Sequence, residues 1–447
     1  MIPVPGGRCR WTVSSGGPCS GIGPLPGLAD LKAGNTASLY IHVPFCAGAC
    51  DYCDFYSIPV MPQDSRLDTY PGAILKEAEI RIQEFGLIHI PTVYIGGGTP
   101  SMLGPAGIGR LLSGLEKLWN QGIQAPGEIT VEANPESAGE AFLKTCRDQG
   151  VTRLSLGIQT FHEPSRRAVH RVGDGALLQE RIRLVRDIFG TGFSGDLLTG
   201  LPWQDESILM QDMEQLLAYE PGHVSLYALT LESGTPLASQ VMLTGAGLPD
   251  PDRADALWIA GRDTLEQQGY GQYEVSNFSR PGMEALHNIR YWRMENWLGL
   301  GPGASSTIID DAEGRGRRFT VNPDVDAYIS WSKRDRISRE AAGENLLIED
   351  LDQLTLIKET FLMGFRYRKG PDAGLFRQRF GLDMETCIPQ TIARWRNQGL
   401  LESGPLALTK EGLLFLDAFL KAAFREAEKN SALLKGQHKS IENVQGL

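Results

Sequence analysis

From Ser38 onward, short apolar runs of β length recur at 39–43, 92–96, 128–133, 153–159, 193–198 and 224–229. Between the first two, Ile74, Leu75, Ala78, Ile82 and Phe85 recur at helical spacing and mark one apolar stripe. Helix-length segments around 106–120, 139–149, 175–188 and 206–218 separate the later runs. Strand, helix, strand, repeated six times, predicts a parallel sheet with helices packed outside it. A closed eightfold barrel needs two more units, which the pattern does not supply. The expectation is an α/β fold built on a partial (β/α)6 barrel, with ligands gathered at the carboxyl ends of its strands.

The rest of the chain divides by pattern. Residues 38–310 read as the core domain, its later part holding a helix near 253–268, then 270–278, then 287–292. The polar stretch 311–349 reads as a connector. Three short helices and a Leu-Ala-Leu hairpin predict a small winged-helix-like domain over 350–425, followed by a polar tail over 426–447. Residues 1–37, rich in Gly, Pro and Ser, read as a disordered leader.

Composition adds bounds. At 447 residues, 42% apolar and 22% charged, the chain has the make-up of a soluble protein with more than one core. No apolar run approaches the ~18 residues that would span a bilayer. A net charge of −11 argues against the whole molecule being a nucleic-acid binder. Seven cysteines, with Cys9, Cys19, Cys146 and Cys387 scattered, do not make a disulfide framework. A reducing compartment, by default the cytoplasm, is expected.

The other three cysteines carry the chemistry. Cys46, Cys50 and Cys53 stand in a C-x-x-x-C-x-x-C spacing directly after the first β run. Three thiolates can hold a cubane iron–sulfur cluster and leave its fourth iron open to a small molecule. Zinc would want a fourth Cys or His nearby, and none lies in the thirty residues that follow. Gly96-Gly-Gly-Thr-Pro100 closes the second run. Its glycines let backbone amides approach a ligand, although a triple glycine also serves as a plain tight turn. Glu132 and Gln159 end the third and fourth runs, and Asp196 sits in the fifth.

These motifs resemble the radical S-adenosylmethionine (SAM) superfamily. More narrowly, they resemble its branch of oxygen-independent coproporphyrinogen dehydrogenases and HemW-type heme chaperones. The signatures are Tyr40-Ile-His-Val-Pro-Phe-Cys46, Gly96-Gly-Gly-Thr-Pro-Ser101, Arg153-Leu-Ser-Leu-Gly-Ile-Gln159, Asp196-Leu-Leu-Thr-Gly-Leu-Pro202, Tyr273-Glu-Val-Ser-Asn-Phe278 and His287-Asn-Ile-Arg-Tyr-Trp292. The resemblance implies a [4Fe-4S] cluster on Cys46, Cys50 and Cys53. Its open iron would chelate SAM, whose carbon–sulfur bond one electron can cleave to a deoxyadenosyl radical. Gly97, Gly98 and Thr99 would meet the methionyl end of SAM, and Tyr40 and Tyr52 would line the cluster loop. Glu132, Gln159, Arg171 and Asp196 match polar SAM contacts of the branch, and each also reads as an ordinary strand-end residue.

Phe55 divides the branch. The dehydrogenase carries a fourth cysteine two places after the third, where this chain has Phe55. The resemblance therefore favours a heme chaperone that passes heme to acceptor hemoproteins such as respiratory-chain components, with an electron donor for the cluster. The alternatives are the dehydrogenase itself and a radical enzyme acting on RNA. His287 reads either as a heme ligand beside Tyr291 and Trp292 or as a packed core histidine. The apolar segment 297–304 reads as a wall for a flat ligand or as a buried turn. Arg366, Arg368, Lys369, Arg377, Arg379, Arg394 and Arg396 make the C-terminal domain locally basic, which suits a solvated face, heme propionates or a nucleic acid.

Overall fold

The computed structural model describes residues 34–244, 247–334 and 346–442. The six runs are strands β1 Ser38–Val43, β2 Thr92–Gly97, β3 Glu128–Ala133, β4 Arg153–Gln159, β5 Phe193–Thr199 and β6 His223–Ala228. They lie side by side in chain order, each parallel to the next. Helices α1 Ser65–Glu84, α2 Gly104–Trp119, α3 Glu140–Asp148, α4 Glu163–Ala168, α5 Gly175–Phe189 and α6 Glu206–Leu217 fill the crossovers. Asp174 and Asp205 start α5 and α6 by accepting the N–H groups of Leu177 and Ile208.

Alternation along the strands separates two environments. Leu39, Ile41 and Val43 of β1, Val93 and Ile95 of β2, and Leu154, Leu156 and Ile158 of β4 share one core with Ile74 of α1, Leu111 of α2 and Ile182 of α5. Full burial of such a side chain stabilises by ~1.5–3 kcal/mol. The alternate positions face inward and are polar: Ser38, Tyr40 and His42 on β1, Thr92 and Tyr94 on β2, Glu128 and Glu132 on β3. An apolar outer face pins the register. A polar inner face lines a cavity.

Further elements complete the sheet. Helices α7 Pro236–Thr244 and α8 Pro251–Gln267 follow β6, and short strands β7 Gly271–Gln272 and β8 Asn277–Ser279 run antiparallel along that edge. Helix α9 Leu286–Trp292 leads to β9 Trp297–Leu300, which lies parallel against β1. Part of the segment read as a buried turn or ligand wall is thus a seventh parallel strand. Strands β10 Ser305–Asp310, β11 Arg315–Val321 and β12 Leu346–Leu351 extend this edge antiparallel. The two ends of the described sheet do not pair, so the barrel is partial.

Three boundaries shift. Residues 311–349 are not a plain connector. They supply β11, most of β12 and α10 Val325–Ser332, whose Tyr328 and Trp331 enter the main core. An edge hairpin keeps one face wet, which hid its alternation among arginines. Residues 335–345 of that stretch, and residues 1–33 of the expected leader, lie outside the described residues. Ala37 is buried and Thr36 bridges to His89, so ordered chain begins before Ser38.

The C-terminal domain holds helices α11 Gln353–Gly364, α12 Ala373–Phe380, α13 Met384–Cys387, α14 Pro389–Asn397, α15 Lys410–Leu413 and α16 Leu416–Glu442, with a single Leu401–Leu408 bridge in place of a wing. Helix α16 runs on into the expected tail. Ala427 is buried, and Glu426 accepts the N–H groups of Gln390 and Thr391 at the start of α14. Residues 443–447 lie outside the described residues. Several of the basic residues are internally engaged: Arg379 with Asp311, Arg377 with Asp383, and Arg368 with the carbonyl of Leu408. Among the described residues no helix is long and apolar enough to cross a membrane.

Candidate functional site at the strand carboxyl ends

The cysteine loop leaves β1 beside the end of β2. Its two limbs are joined: Phe45–Cys46 pairs with Ile58–Pro59, and Val60 donates its N–H to the Cys46 carbonyl at 2.9 Å. Cys46, Cys50 and Cys53 are free thiols, each half-buried. Burial pushes the Cys46 thiol up and the Cys53 thiol up to about 11, so both are protonated until a metal draws the proton off. Among the described residues no three His, Cys, Asp or Glu side chains converge as they do on a single ion.

The triple glycine is packed against this loop. Gly97 has φ +116°, and a Cβ there would stand 2.6 Å from the His42 ring. A Cβ on Gly98 would stand 2.9 Å from the Phe45 carbonyl oxygen and 3.0 Å from the Cys46 sulfur. The glycines are required by close approach, not only by a turn. Beyond them, the Thr99 hydroxyl donates to the Cys46 sulfur at 3.5 Å. Asn134 Nδ2 donates to Thr99 Oγ1 at 2.9 Å. Arg171 donates to Asn134 Oδ1 and to the Gly157 carbonyl, both at 2.6 Å, and its other terminal nitrogen lies 3.5 Å from the Cys50 sulfur. A continuous polar chain therefore runs from Cys46 to Cys50 through three strand ends. Gln159 closes β4 beside it with φ +70°. Tyr52 is half-buried next to Cys50 and Arg171, and desolvation pushes its hydroxyl up.

Below this rim lies a buried column. Tyr94 donates to Glu132 Oε1 at 2.6 Å, and the Gly97 N–H donates to Glu132 Oε2 at 3.1 Å. Tyr40 stacks on Tyr94 at 6.2 Å, and its hydroxyl lies 2.9 Å from His42 Nδ1. Asp196 accepts from the hydroxyls of Ser155 and Ser194. Burial pushes both carboxyls up, and the hydroxyl donors oppose that shift.

His287 is not part of the rim. It is 1% exposed and lies at the start of β2, with its Nδ1 2.8 Å from Thr92 Oγ1. Five residues of strand separate Thr92 from Gly97, a rise of roughly 16 Å. Glu128 accepts the N–H groups of Leu286 and His287, and Arg290 donates to Ser38. His223 and Tyr273 share a hydrogen bond at the same level. The first inward residue of several strands thus grips the segment around α9, which plugs the barrel floor. Among the described residues, His287 Nε2 has no hydrogen-bond partner. Ser38, Arg290, Tyr291 and Trp297 line the small gap beside it. The structure thus places His287 among buried side chains at the end of the sheet opposite the cysteine loop.

Sequence reasoning passed over Asn134, Tyr94 and His42. The signal was period two: Asn134 shares a strand face with Glu132, Tyr94 with Gly96, and His42 with Tyr40.

Comparison with known proteins places the chain. Residues 40–216 match the radical SAM superfamily, and residues 351–415 match the HemN C-terminal domain. The heme chaperone HemW of Mycobacterium tuberculosis is 33% identical over 406 residues, covering 89% of this chain and 97% of that protein. The chain belongs to the HemW family. HemW of Bacillus subtilis is 30% identical over 84% of this chain and 96% of its own. Mouse radical S-adenosyl methionine domain-containing protein 1, a mitochondrial protein, is 32% identical over 87% of each chain. The solved structure of the Escherichia coli coproporphyrinogen III oxidase HemN shares the fold, with a TM-score of 0.71 over 87% of this chain and 90% of that one at 23% identity. As a radical SAM protein of the HemW family, the chain takes a [4Fe-4S] cluster and SAM.

Proposed function

We propose that this protein is a heme chaperone, binding heme as cargo and passing it to acceptor hemoproteins. The similarity that carries this reading is the nearly end-to-end match to HemW of M. tuberculosis. Phe55 supports it, since the dehydrogenase of the branch carries a fourth cysteine there and this chain offers an exposed ring. In this reading Cys46, Cys50 and Cys53 hold the cluster, and Gly97, Gly98 and Thr99 face the methionyl end of SAM. Glu132, Gln159, Arg171 and Asp196 supply polar contacts, with Tyr40 and Tyr52 as walls. When bound, the cluster and SAM supply one-electron chemistry at the strand ends. Arg171 and Asn134 keep the two halves of the rim in register, and Tyr94 holds the Glu132 carboxylate against Gly97. A reducing compartment such as the cytoplasm, and an electron donor, belong to the same proposal.

The test is an anaerobic hemin titration of reconstituted protein, followed by mixing with an apo-hemoprotein. The expected result is saturation near one heme per chain, transfer to the acceptor, and no conversion of coproporphyrinogen III. Absence of saturable heme binding, or appearance of protoporphyrinogen, overturns the reading.

A further inference from the structure

Resting on the reading that Gln159 and Arg171 contact SAM, we infer that Arg166 is the positioning residue that holds both of them toward it. Arg166 lies within α4 and is 1% exposed. Its neighbour Arg167 does what a helical arginine ordinarily does: 77% exposed, it donates to Glu163 one turn back. Arg166 instead turns its guanidinium into the fold and donates to four main-chain carbonyls. One terminal nitrogen meets Ile158 at 3.0 Å and Thr160 at 3.1 Å. The other meets Val172 at 2.9 Å and Gly173 at 3.4 Å.

The two pairs of carbonyls flank the two residues in question. Ile158 and Thr160 stand on either side of Gln159, which has φ +70°, and the Thr160 N–H donates back to the Ile158 carbonyl at 3.0 Å. This three-residue turn falls where the register of β4 against β5 slips between Gly157 and Gln159. A non-glycine residue keeps such a backbone only where its surroundings over-determine it. One planar group bonded to the carbonyls before and after Gln159 does that. Val172 and Gly173 directly follow Arg171, whose own N–H donates to the Arg166 carbonyl at 2.9 Å. Arg166 therefore ties the strand end that carries Gln159 to the loop that carries Arg171. Gly157 shows where the two meet: a Cβ there would stand 2.9 Å from Arg171 Nη2, 3.2 Å from Gln159 Nε2 and 2.7 Å from Asn134 Oδ1.

Packing alone does not call for an arginine at this place. Desolvation lowers the Arg166 pKa and the nearby Arg171 lowers it further, while Glu163 and Glu136 oppose the shift. Burying a charge beside a like charge is unfavourable, and an apolar side chain at the same helical position avoids it. The guanidinium supplies in return a planar fork of donors with fixed spread, which a single ammonium does not reproduce. Among the described residues its Nε has no hydrogen-bond partner, so the two terminal nitrogens place the group. Enclosed as it is, Arg166 acts through Gln159 and Arg171, setting where their amide and guanidinium groups stand.

The test is a double-mutant cycle on the reconstituted full chain. It is read by calorimetric titration with SAM and by the change SAM produces in the electron paramagnetic resonance spectrum of the reduced cluster. Arg166→Lys keeps the charge and the stem but cannot hold both pairs of carbonyls, and Arg166→Met is the second variant. The expected result for each is wild-type iron content, a SAM dissociation constant raised about tenfold, and a smaller SAM-dependent spectral change. In a Gln159→Ala background the same substitution should add about threefold or less, because part of what it positions is already gone. An arginine that only supports the fold would lower the melting temperature and leave the SAM constant of the folded protein unchanged. That result overturns the assignment, as does an equal loss in both backgrounds or failure of both variants to fold. If Gln159→Ala and Arg171→Lys bind SAM as the wild type does, the contact reading itself fails and the positioning role falls with it.

Discussion

A methyl group added at Gly98 would press on the Phe45 carbonyl and the Cys46 sulfur together, and neither the backbone nor a cluster ligand can yield freely. Gly98→Ala should therefore cost about 1–3 kcal/mol and reduce iron retained after reconstitution. Wild-type iron content in that variant would show that the loop is looser than its packing. Asn134 poses the complementary case, since it touches no cysteine yet joins Thr99 to Arg171. Asn134→Ala should keep the cluster and weaken SAM binding by about tenfold, the loss of one or two charge-assisted contacts. Isothermal titration with SAM checks this, and an unchanged dissociation constant would remove Asn134 from the site. The cysteines and glycines were legible because their spacing is local. Asn134 was not, because its partners lie 35 and 37 positions away.

At the scale of elements, α9 decides how the barrel responds to acid. Burial, with Arg290 as a smaller cause, pulls the His287 pKa down to about 3, and burial takes His42 to about 4. Both lie below the ordinary value near 6.5, so the folded state prefers the neutral rings. Their contribution is complete above pH 6.5 and is lost as pH falls toward 3, at about 1.4 kcal/mol per unit for each ring. Asp212, pushed up to about 6 by burial, acts in the opposite sense, losing its contribution as pH rises through that value. His287→Asn can keep a donor to Thr92 and has no proton to take up, so its melting temperature should fall less than the wild type's between pH 6.5 and 4.5. Parallel curves would mean that His287 is not held neutral in the floor. The six β/α units could be read from their period, whereas β9 hid in a glycine-rich segment and β11 and β12 hid in a half-wet hairpin. Nothing local to His287-Asn-Ile-Arg-Tyr-Trp292 says that strand starts at Ser38, Thr92 and Glu128 will close around it.

For the whole molecule, the C-terminal domain is a structural partner of the sheet and not an appendage. Trp292, Met294 and Ile309 share a core with Phe361, Phe376 and Phe380, and buried Arg379 reaches both Asp311 and the Met294 carbonyl. Ending the chain at Arg334 should strip that core and leave β11 without β12, giving insoluble protein or loss of the cooperative melt. A soluble fragment melting as the full chain does would show that the domains are independent.

The plug under the barrel has one more consequence, for traffic. With α9 seated on the strand starts, the floor of the barrel is covered and its mouth lies at the rim with the cysteine loop. A ligand that enters by the rim and binds deep arrives before whatever settles across the rim, and departs after that later arrival has gone. Binding order is thereby written into the architecture: a deep occupant should exchange slowly whenever the rim is covered and quickly when it is bare.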